Sequence, residues 1–149
     1  MSINAGMMSS NTDQWGTPDD LFAELDAEFN FTLDACASPW NHKVDNYYDE
    51  VENGLEQPWT GVVWCNPPYG RAIKNWIRKG YESSQQGATV VMLIPARTDT
   101  SYWHDYVMRG DIRFLRGRIK FVQPDGTATH PAPFPSAIVI FKKEENNGN

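Results

Sequence analysis

The stretch VVWCNPPYGR, residues 62–71, runs an apolar segment directly into two prolines, a tyrosine and a glycine. A short, continuously apolar run is typical of a strand that is buried on both faces. Proline fixes its own φ and has no backbone N–H, and the residue before a proline is pushed into extended geometry. Asn66, Pro67 and Pro68 are therefore predicted to form a rigid corner rich in acceptors, and Gly70 lets the chain turn into the next element.

Helical and strand patterns alternate on both sides of this corner. Residues 71–87 repeat apolar side chains at helical spacing, and residues 89–95 (TVVMLIP) form another apolar run of strand length. Upstream, residues 15–31 predict a helix with Thr17 as its N-cap, and FTLDACA (31–37) predicts a short strand. Buried strands separated by helices indicate a parallel sheet with helices on either side.

The carboxyl-terminal part follows a different pattern. TSYWHDYVMR (100–109) predicts a further helix, but IRFL (112–115), RIKFV (118–122) and SAIVIFK (136–142) predict strands with no helix between them. The Pro-rich loop 123–135 joins the last two strands, most simply as an antiparallel pair. The expected fold class is therefore α/β, an open and mostly parallel sheet with an antiparallel edge.

The length of 149 residues allows one compact domain, expected over residues 15–142 between flexible tails at 1–14 and 143–149. The amino terminus lacks the basic and apolar regions of a secretory signal, and no stretch approaches the roughly 20 apolar residues that span a bilayer. Two cysteines are too few for a disulfide framework, so we expect reduced thiols and a cytoplasmic protein. Neither these cysteines nor the three histidines stand at metal-ligand spacing, so no metal is predicted.

The charge is distributed unevenly along the chain. The net charge is -6, but residues 1–60 hold 12 Asp and Glu against a single Lys43, whereas residues 61–149 hold 7 acids against 12 Lys and Arg. Phosphate binding depends on Lys and Arg, so the second part is the one suited to a polyanion. Solvated charge on an ordinary surface explains the same pattern equally well.

The corner suits a planar ligand that carries an exocyclic NH2 group. The Asn66 side-chain oxygen and the Pro67 carbonyl would each accept one amino hydrogen, while the Tyr69 ring stacks on the ligand. A nucleic-acid base with such a group lies inside a duplex unless it is flipped out. The bland alternative is a plain turn, because Asn-Pro and Pro-Pro commonly punctuate loops.

The NPPY tetrapeptide in this context resembles the [DNS]-P-P-[YFW] motif of methyltransferases that use S-adenosylmethionine to methylate amino groups. The wider layout, which includes WGTPDDLF, LDACAS, NGLEQPW, IPARTDT, GRIKF and PFPSAIVIF, is similar to the compact phage-type DNA N6-adenine methyltransferases (Dam). The resemblance extends over residues 15–141. It implies a Rossmann-like fold, an S-adenosylmethionine cofactor, a DNA partner and, for a phage-encoded chain, the host cytoplasm. Only roughly 25 residues separate the first strand from GVVWC, too few for the full methyltransferase core, so the sheet is expected to be reduced there.

The resemblance also assigns roles to individual residues. It makes Asn66, Pro67, Pro68 and Tyr69 catalytic, with Asn66 orienting the amine rather than acting as a strong base. The cofactor is expected at Trp15, Thr17, Asp34, Ala35, Asn53 and Asn66, and the DNA at Arg97, Arg116 and Arg118. Asp34 has a second open role as a cap of its own turn. Tyr102 and Trp103 either stack on a base or pack in the core.

Two alternatives to DNA adenine N6 methylation remain at this point. The same corner fits other amino groups, such as cytosine N4, an RNA base or a glutamine side chain. The chain has no glycine-rich G-x-G cofactor loop and a short middle, which favour a catalytically silent methyltransferase fold that binds DNA or protein.

Overall fold

The structure, a computed structural model, describes residues 15–144. Its centre is a five-stranded sheet in the order β1-β2-β3-β5-β4. β1, β2 and β3 are parallel, and β5 lies antiparallel between β3 and β4. The strands are β1 (Leu33–Asp34), β2 (Val62–Cys65), β3 (Thr89–Pro95), β4 (Asp111–Phe114) and β5 (Ser136–Phe141). The mixed α/β class is confirmed, and the parallel strands lie together at one end of the sheet, whereas the antiparallel strand β5 is interior.

Helices cover both faces of this sheet, as the alternation of strands and helices predicts. They are α1 (Asp19–Phe29), α2 (Ile73–Gln85) and the short α3 (Ser101–Asp105), with 3-10 turns at Gly54–Glu56 and Val107–Arg109. The Trp64 ring of β2 lies 5.5 Å from the Phe22 ring of α1. On the opposite face, a Cβ at Gly80 of α2 would lie 2.8 Å from the Met92 sulfur of β3. The absence of a side chain at Gly80 lets α2 pack this closely on the sheet.

The core is centred on β3 and β5, which lie next to each other between β2 and β4. Val90, Val91, Met92, Leu93 and Ile94 of β3 are all 0% exposed. Burying one such side chain contributes about 1.5–3 kcal/mol. These consecutive apolar residues therefore explain why β3 is central and how the carboxyl ends of the parallel strands are held rigid.

The predicted strand RIKFV (118–122) is wrong. This segment forms only isolated bridges, from Val122 to Gly16 and from Val122 to Ala128. The antiparallel partners of β5 are β3 and β4 instead, with Ile138 opposite both Leu93 and Arg113. Gly117, at φ 75°, turns the chain out of the sheet after β4, and the backbone of Val122 pairs with the segment before α1.

The predicted N-cap role of Thr17 is also wrong. Pro18, with φ -57° and ψ 138°, occupies the cap position of α1, and no side chain of the described residues caps this helix. Thr17 is 3% exposed, and its hydroxyl oxygen accepts a hydrogen bond from the Asn66 side chain. Thr17 therefore accepts from the Asn66 side chain and not, as a helix cap would, from a backbone amide in the first turn of α1.

The segments that flank the sheet are shorter than predicted. The helix expected over 100–109 is divided into α3 and a 3-10 turn, because Tyr106 leaves helical geometry at φ -127° and ψ -53°. Between β1 and β2, the described chain contains a 3-10 turn rather than a further strand–helix unit. Residues 15–144 include no helix with the length and apolarity needed to cross a membrane. The predicted tail 1–14 and all of the tail 143–149 except Lys143 and Glu144 lie outside the described residues.

Candidate active site

The carboxyl ends of the three parallel strands bring separate parts of the sequence to one edge of the sheet. β1 ends at Asp34, β2 ends immediately before Asn66, and β3 ends two residues before Arg97. In open α/β sheets, ligands bind in the crevice outside such strand ends. The edge therefore carries the sequence-predicted residues of all three groups: cofactor-binding, catalytic and DNA-binding.

The Asn66 side chain is held in one orientation. Its amide nitrogen donates to the backbone carbonyl of Trp15 and to the Thr17 hydroxyl oxygen, the latter at 3.1 Å. The amide oxygen Oδ1 is buried and has no hydrogen-bond partner among residues 15–144. Because an unpaired buried acceptor costs about 1–3 kcal/mol, this oxygen is a strong indication of a ligand that donates to it.

The Pro67 carbonyl provides a second free acceptor beside it. Pro67 is buried, and within residues 15–144 no backbone or side-chain group donates to its oxygen. The following Pro68 has no N–H that could fold back, and it holds Pro67 in extended geometry. Two acceptors without protein donors thus lie on consecutive residues after β2.

Asp34 is a buried carboxylate at the end of β1, 2% exposed. Its two oxygens accept backbone hydrogen bonds from Cys36 at 3.4 Å and Lys43 at 2.9 Å. Burial raises its pKa to about 7, although these hydrogen bonds and the nearby His42 and Lys43 lower it. Asp34 therefore organises its own turn, and it also lines a cleft with Asn66.

A cleft of two lobes runs along the edge, and the lobes share Cys36 and Ala37. The first, the Asn66 lobe, is lined by Trp15, Thr17, Asp34, Cys36, Ala37, Asn41, Lys43, Trp64 and Asn66. The second, the Asn53 lobe, has about 970 Å³ of space including its open mouth. It is lined by Cys36, Ala37, Tyr48, Asp49, Glu50, Asn53, Gly54, Leu55, Pro68, Ala72 and Trp76. The NPPY corner contributes Asn66 to one lobe and Pro68 to the other.

Two of the predicted cofactor residues have additional structural roles. The Asn53 side-chain oxygen accepts from the Leu55 amide at 3.2 Å and so caps the 3-10 turn at the Asn53 lobe. Ala35 is fully buried and donates its N–H to the Trp64 carbonyl at 2.9 Å, and it is not in the wall of either lobe. The Ala35 carbonyl instead lies against Gly54, where an added Cβ would be only 2.1 Å away. The absence of a side chain at Gly54 therefore lets the 3-10 turn pack closely against the chain that follows β1.

The polar groups of the cleft suit an elongated organic ligand rather than a metal. The Asn66 lobe contains a buried carboxylate, and the Asn53 lobe combines the acids Asp49 and Glu50 with apolar walls from Leu55 and Trp76. Within residues 15–144, no group of three or more His, Cys, Asp or Glu side chains is placed to hold a metal ion. The cleft can therefore accept a ligand with a cationic end and a flat, partly apolar end.

Comparison with known families identifies the chain. The model of the family DNA N-6-adenine-methyltransferase (Dam) matches residues 4–148. The chain belongs to the Dam family. As a member of this family it is a methyltransferase whose class of substrate is DNA adenine.

Individual relatives of this Dam family member come from phages. A DNA N-6-adenine-methyltransferase of Haemophilus phage HP1 (strain HP1c1) is 30% identical over 156 residues, covering 100% of this chain and 90% of the phage protein. A DNA N-6-adenine-methyltransferase of Escherichia phage T1 is 32% identical over 94 residues, covering 61% of this chain and 39% of that protein. The first similarity extends over both lobes of the cleft and the NPPY corner.

Tyr69 of this Dam chain is more deeply packed than a stacking role alone requires. It is 9% exposed, and its hydroxyl donates to the Leu93 carbonyl of β3 at 2.9 Å. Its ring meets the Phe121 and Phe134 rings edge to face, at centroid distances of 5.9 and 5.7 Å. The remaining surface of Tyr69 lines a hollow together with Gly70, Ile73, Pro95, Arg97, Thr100 and Tyr102.

The three arginines predicted to bind DNA do not form one cluster. Arg97 lies over the Phe134 ring, 5.6 Å from its centroid, next to the Tyr69 hollow. Arg116 and Arg118 line a separate groove with Lys120, which we call the basic groove. Its other walls are Pro18, Asp20, Leu21, Leu115 and Ile119. Of the aromatic candidates, Trp103 is 3% exposed and packs in the core, and Tyr102 is 8% exposed at the hollow.

Sequence reasoning missed several residues that line the cleft. Lys43 and Asn41 enter the Asn66 lobe, and Asp49, Glu50 and Trp76 enter the Asn53 lobe. Asp49 and Glu50 lie in a stretch with no helical or strand periodicity, so no spacing argument could place them. Trp76 lies in the helix predicted over residues 71–87, but its place in the cleft wall, beside Gly54, is a tertiary contact that helical spacing does not predict.

Proposed function

We propose that this chain transfers a methyl group from S-adenosylmethionine to N6 of an adenine flipped out of DNA. One observation carries the proposal: the buried, unpartnered Asn66 Oδ1 at the carboxyl end of β2, beside a cleft of suitable chemistry. Family membership supports the DNA adenine substrate.

The cofactor fits the chemistry of the two lobes. S-adenosylmethionine supplies an electrophilic methyl carbon on a positively charged sulfur. In the Asn66 lobe, the Asp34 carboxylate would favour the cationic methionine end, bordered by Trp15 and Thr17. In the Asn53 lobe, Leu55 and Trp76 offer apolar contact to a flat ring, and Asp49 and Glu50 offer acceptors for hydroxyl groups.

The residues of the corner would prepare the amine for attack. The N6 lone pair of adenine is delocalised into the ring, which makes the nitrogen a poor nucleophile. Hydrogen bonds from the amino group to Asn66 Oδ1 and the Pro67 carbonyl would favour a more tetrahedral nitrogen with a directed lone pair. Alignment of this kind supplies much of the rate in such reactions. Asn66 is not a base, so the proton that leaves N6 passes to solvent.

Tyr69 would provide the aromatic surface at the corner. Its ring is fixed by Phe121, Phe134 and the hydrogen bond to Leu93, and its remaining surface lines the hollow that also contains Arg97. A rigid ring stacks on an extruded base at low entropic cost. Flipping itself costs a few kcal/mol for unstacking, which contacts of this kind offset.

Charge on the second part of the chain would bind the DNA backbone. Arg116 and Arg118 in the basic groove, and Arg97 beside the hollow, are exposed cations near the same edge of the sheet. The fold around them fits a Rossmann-like methyltransferase domain reduced between β1 and β2. For a phage-encoded enzyme, the host cytoplasm supplies both DNA and cofactor.

The test is incubation of the protein with isotopically labelled S-adenosylmethionine and unmodified DNA, followed by digestion to nucleosides and mass spectrometry. We expect labelled N6-methyladenine with wild-type protein and none with Asn66→Ala. Asn75→Ala, the same change at an exposed position of α2, is the matched control and retains activity. Label found in N4-methylcytosine, RNA or glutamine instead would assign a different substrate to the enzyme. The absence of cofactor binding by calorimetry would indicate a silent binding module.

A further inference from the structure

We propose that the segment Trp15–Thr17 is the positioning element of Asn66, and that Thr17 is a positioning residue for methyl transfer. The proposal rests on the function proposed above and adds a role for residues expected there only to border the cofactor. Thr17 would act through the Asn66 amide, fixing which end of that amide faces the substrate amine.

The orientation of the amide follows from its partners. A side-chain amide has one oxygen that accepts and one NH2 that donates twice. The Trp15 carbonyl can only accept, so the Asn66 nitrogen must face it, and the second hydrogen goes to the Thr17 hydroxyl oxygen at 3.1 Å. Both hydrogens are thus used within the protein, and Oδ1 is left as a pure acceptor for the incoming amine.

The positioning element is itself held by a close backbone pairing. Gly16 donates to the Val122 carbonyl at 3.1 Å, and Val122 donates to the Gly16 carbonyl at 2.8 Å. A Cβ at position 16 would lie 2.6 Å from the Val122 carbonyl oxygen, so only glycine permits this approach. The Trp15 ring packs 5.3 Å from the Phe121 ring and fixes the adjacent residue.

The pairing of Gly16 with Val122 connects the Asn66 amide to the basic segment 118–122. Residues 118–122 include Arg118 and Lys120 of the basic groove and end at Val122, the partner of Gly16. The two neighbours of Gly16 in the chain, Trp15 and Thr17, are the acceptors of the Asn66 amide. The orientation of Asn66 therefore depends on the same segment that would contact DNA.

The test compares Thr17→Val, which keeps the shape and loses the hydroxyl, with Thr17→Ser, which keeps the hydroxyl. We expect Thr17→Val to lower kcat about 10- to 100-fold, the effect of a small misplacement of a catalytic group, at saturating S-adenosylmethionine, beyond any change in the Kd for this cofactor. Thr17→Ser restores wild-type kcat. Full kcat in Thr17→Val, weaker cofactor binding as its only defect, or a failure of Thr17→Ser to rescue would each overturn the proposal.

Ser84→Ala is the matched control, because Ser84 of α2 is fully buried, its hydroxyl donates to the Tyr81 carbonyl at 2.6 Å, and it lines neither lobe of the cleft. Its kcat should equal that of wild type.

A second measurement uses the wild-type protein without DNA or cofactor, and it stands even if Thr17→Val does not fold. In selectively labelled protein, both side-chain NH2 protons of Asn66 should be protected from solvent exchange, unlike those of the exposed Asn75. Exchange of Asn66 as fast as that of Asn75 would overturn the positioning role. Absence of N6-methyladenine with wild-type protein would instead overturn the proposed function. The exchange measurement would then still test whether Trp15–Thr17 orients the Asn66 amide.

Discussion

Asp34 and Lys43 are joined through the main chain rather than through their charges. The Asp34 carboxylate accepts a hydrogen bond from the Lys43 backbone amide at 2.9 Å, whereas the Lys43 ammonium group pairs with Asp19 at 2.6 Å. In the part of the chain that the structure describes, the buried carboxylate thus has no direct cationic partner, at the place where the cofactor is expected. This arrangement leaves Asp34 with a pKa of about 7, mainly because burial disfavours its charge.

The stability of the free protein should fall as the pH rises towards and through 7. The pKa of Asp34 is about 7 in the fold and close to 3.8 in the unfolded chain, so the folded state holds its proton more tightly. The contribution is fully present below the unfolded value and is lost as the pH rises through the folded value. Urea unfolding between pH 4 and 8 measures it, and Asp34→Asn should remove the slope that this group adds. An unchanged slope in that variant would contradict the assignment.

Binding of S-adenosylmethionine should respond to pH in the opposite direction. Only the ionised Asp34 attracts a cation, so the affinity is expected to increase as the pH rises through about 7. Near that pH, binding should also release a proton. Calorimetry in buffers of different ionisation enthalpy detects this release, and Asp34→Asn should bind more weakly at pH 8 and release none. Equal proton release by wild type and variant would show that another group titrates.

Gly54→Ala should damage the cleft specifically. The new Cβ would lie 2.1 Å from the Ala35 carbonyl oxygen and 3.0 Å from the Trp76 ring, so the 3-10 turn must move. Overpacking of this kind costs about 1–3 kcal/mol, and we expect weaker cofactor binding in addition. Gly126→Ala is the control: it has a positive φ of 86° but open space around it. If both variants bind the cofactor normally, the close approach at Gly54 has no role in the cleft.

Substitutions of Tyr69 should separate its packing from its hydroxyl group. Tyr69→Phe keeps the ring and loses the hydrogen bond to the Leu93 carbonyl, at a cost of about 1 kcal/mol. It should retain methylation. Tyr69→Ala removes a buried ring and should cost about 3–5 kcal/mol, so its loss of activity must be measured below its own melting temperature. Inactive but fully folded Tyr69→Phe would assign the hydroxyl a direct part in the chemistry.

Arg116→Ala should weaken DNA binding in a salt-dependent manner. If Arg116 neutralises one phosphate, the slope of log affinity against log salt should decrease by about 1. Arg113→Ala is the matched control, because Arg113 already pairs with Glu28 through two hydrogen bonds and lies over the Phe29 ring. Its salt slope should equal that of wild type. The same slope in Arg116→Ala and wild type would remove Arg116 from the DNA interface.

The sequence predicts the parts of this fold that rest on continuous apolar runs. β2, β3, β5 and α2 are all recognisable, because strands buried on both faces and an amphipathic helix leave strong local patterns. RIKFV has the same local pattern, but its backbone pairs with Gly16, roughly a hundred residues away in the sequence. No local rule predicts such a pairing.

The candidate site likewise combines features that local sequence patterns predict with contacts between residues distant in sequence. Proline chemistry predicts the rigid corner at Asn66, and the structure adds that the amide oxygen is buried and free. The sequence predicts that the Thr17 hydroxyl caps a helix, because the local signal for a cap is strong. Its use by Asn66, from 49 residues further along the chain, is a tertiary contact that overrides that signal.

The insertion of β5 between β3 and β4 determines when this protein can finish folding. A chain still being synthesised that has not reached Ser136 lacks the strand that pairs with both neighbours. Until then, the hydrophobic edge of β3 stays open, and open strand edges recruit other chains. Folding of the sheet should therefore not be completed before β5 has been synthesised, and deletions that enter β5 should produce aggregation rather than a smaller folded enzyme.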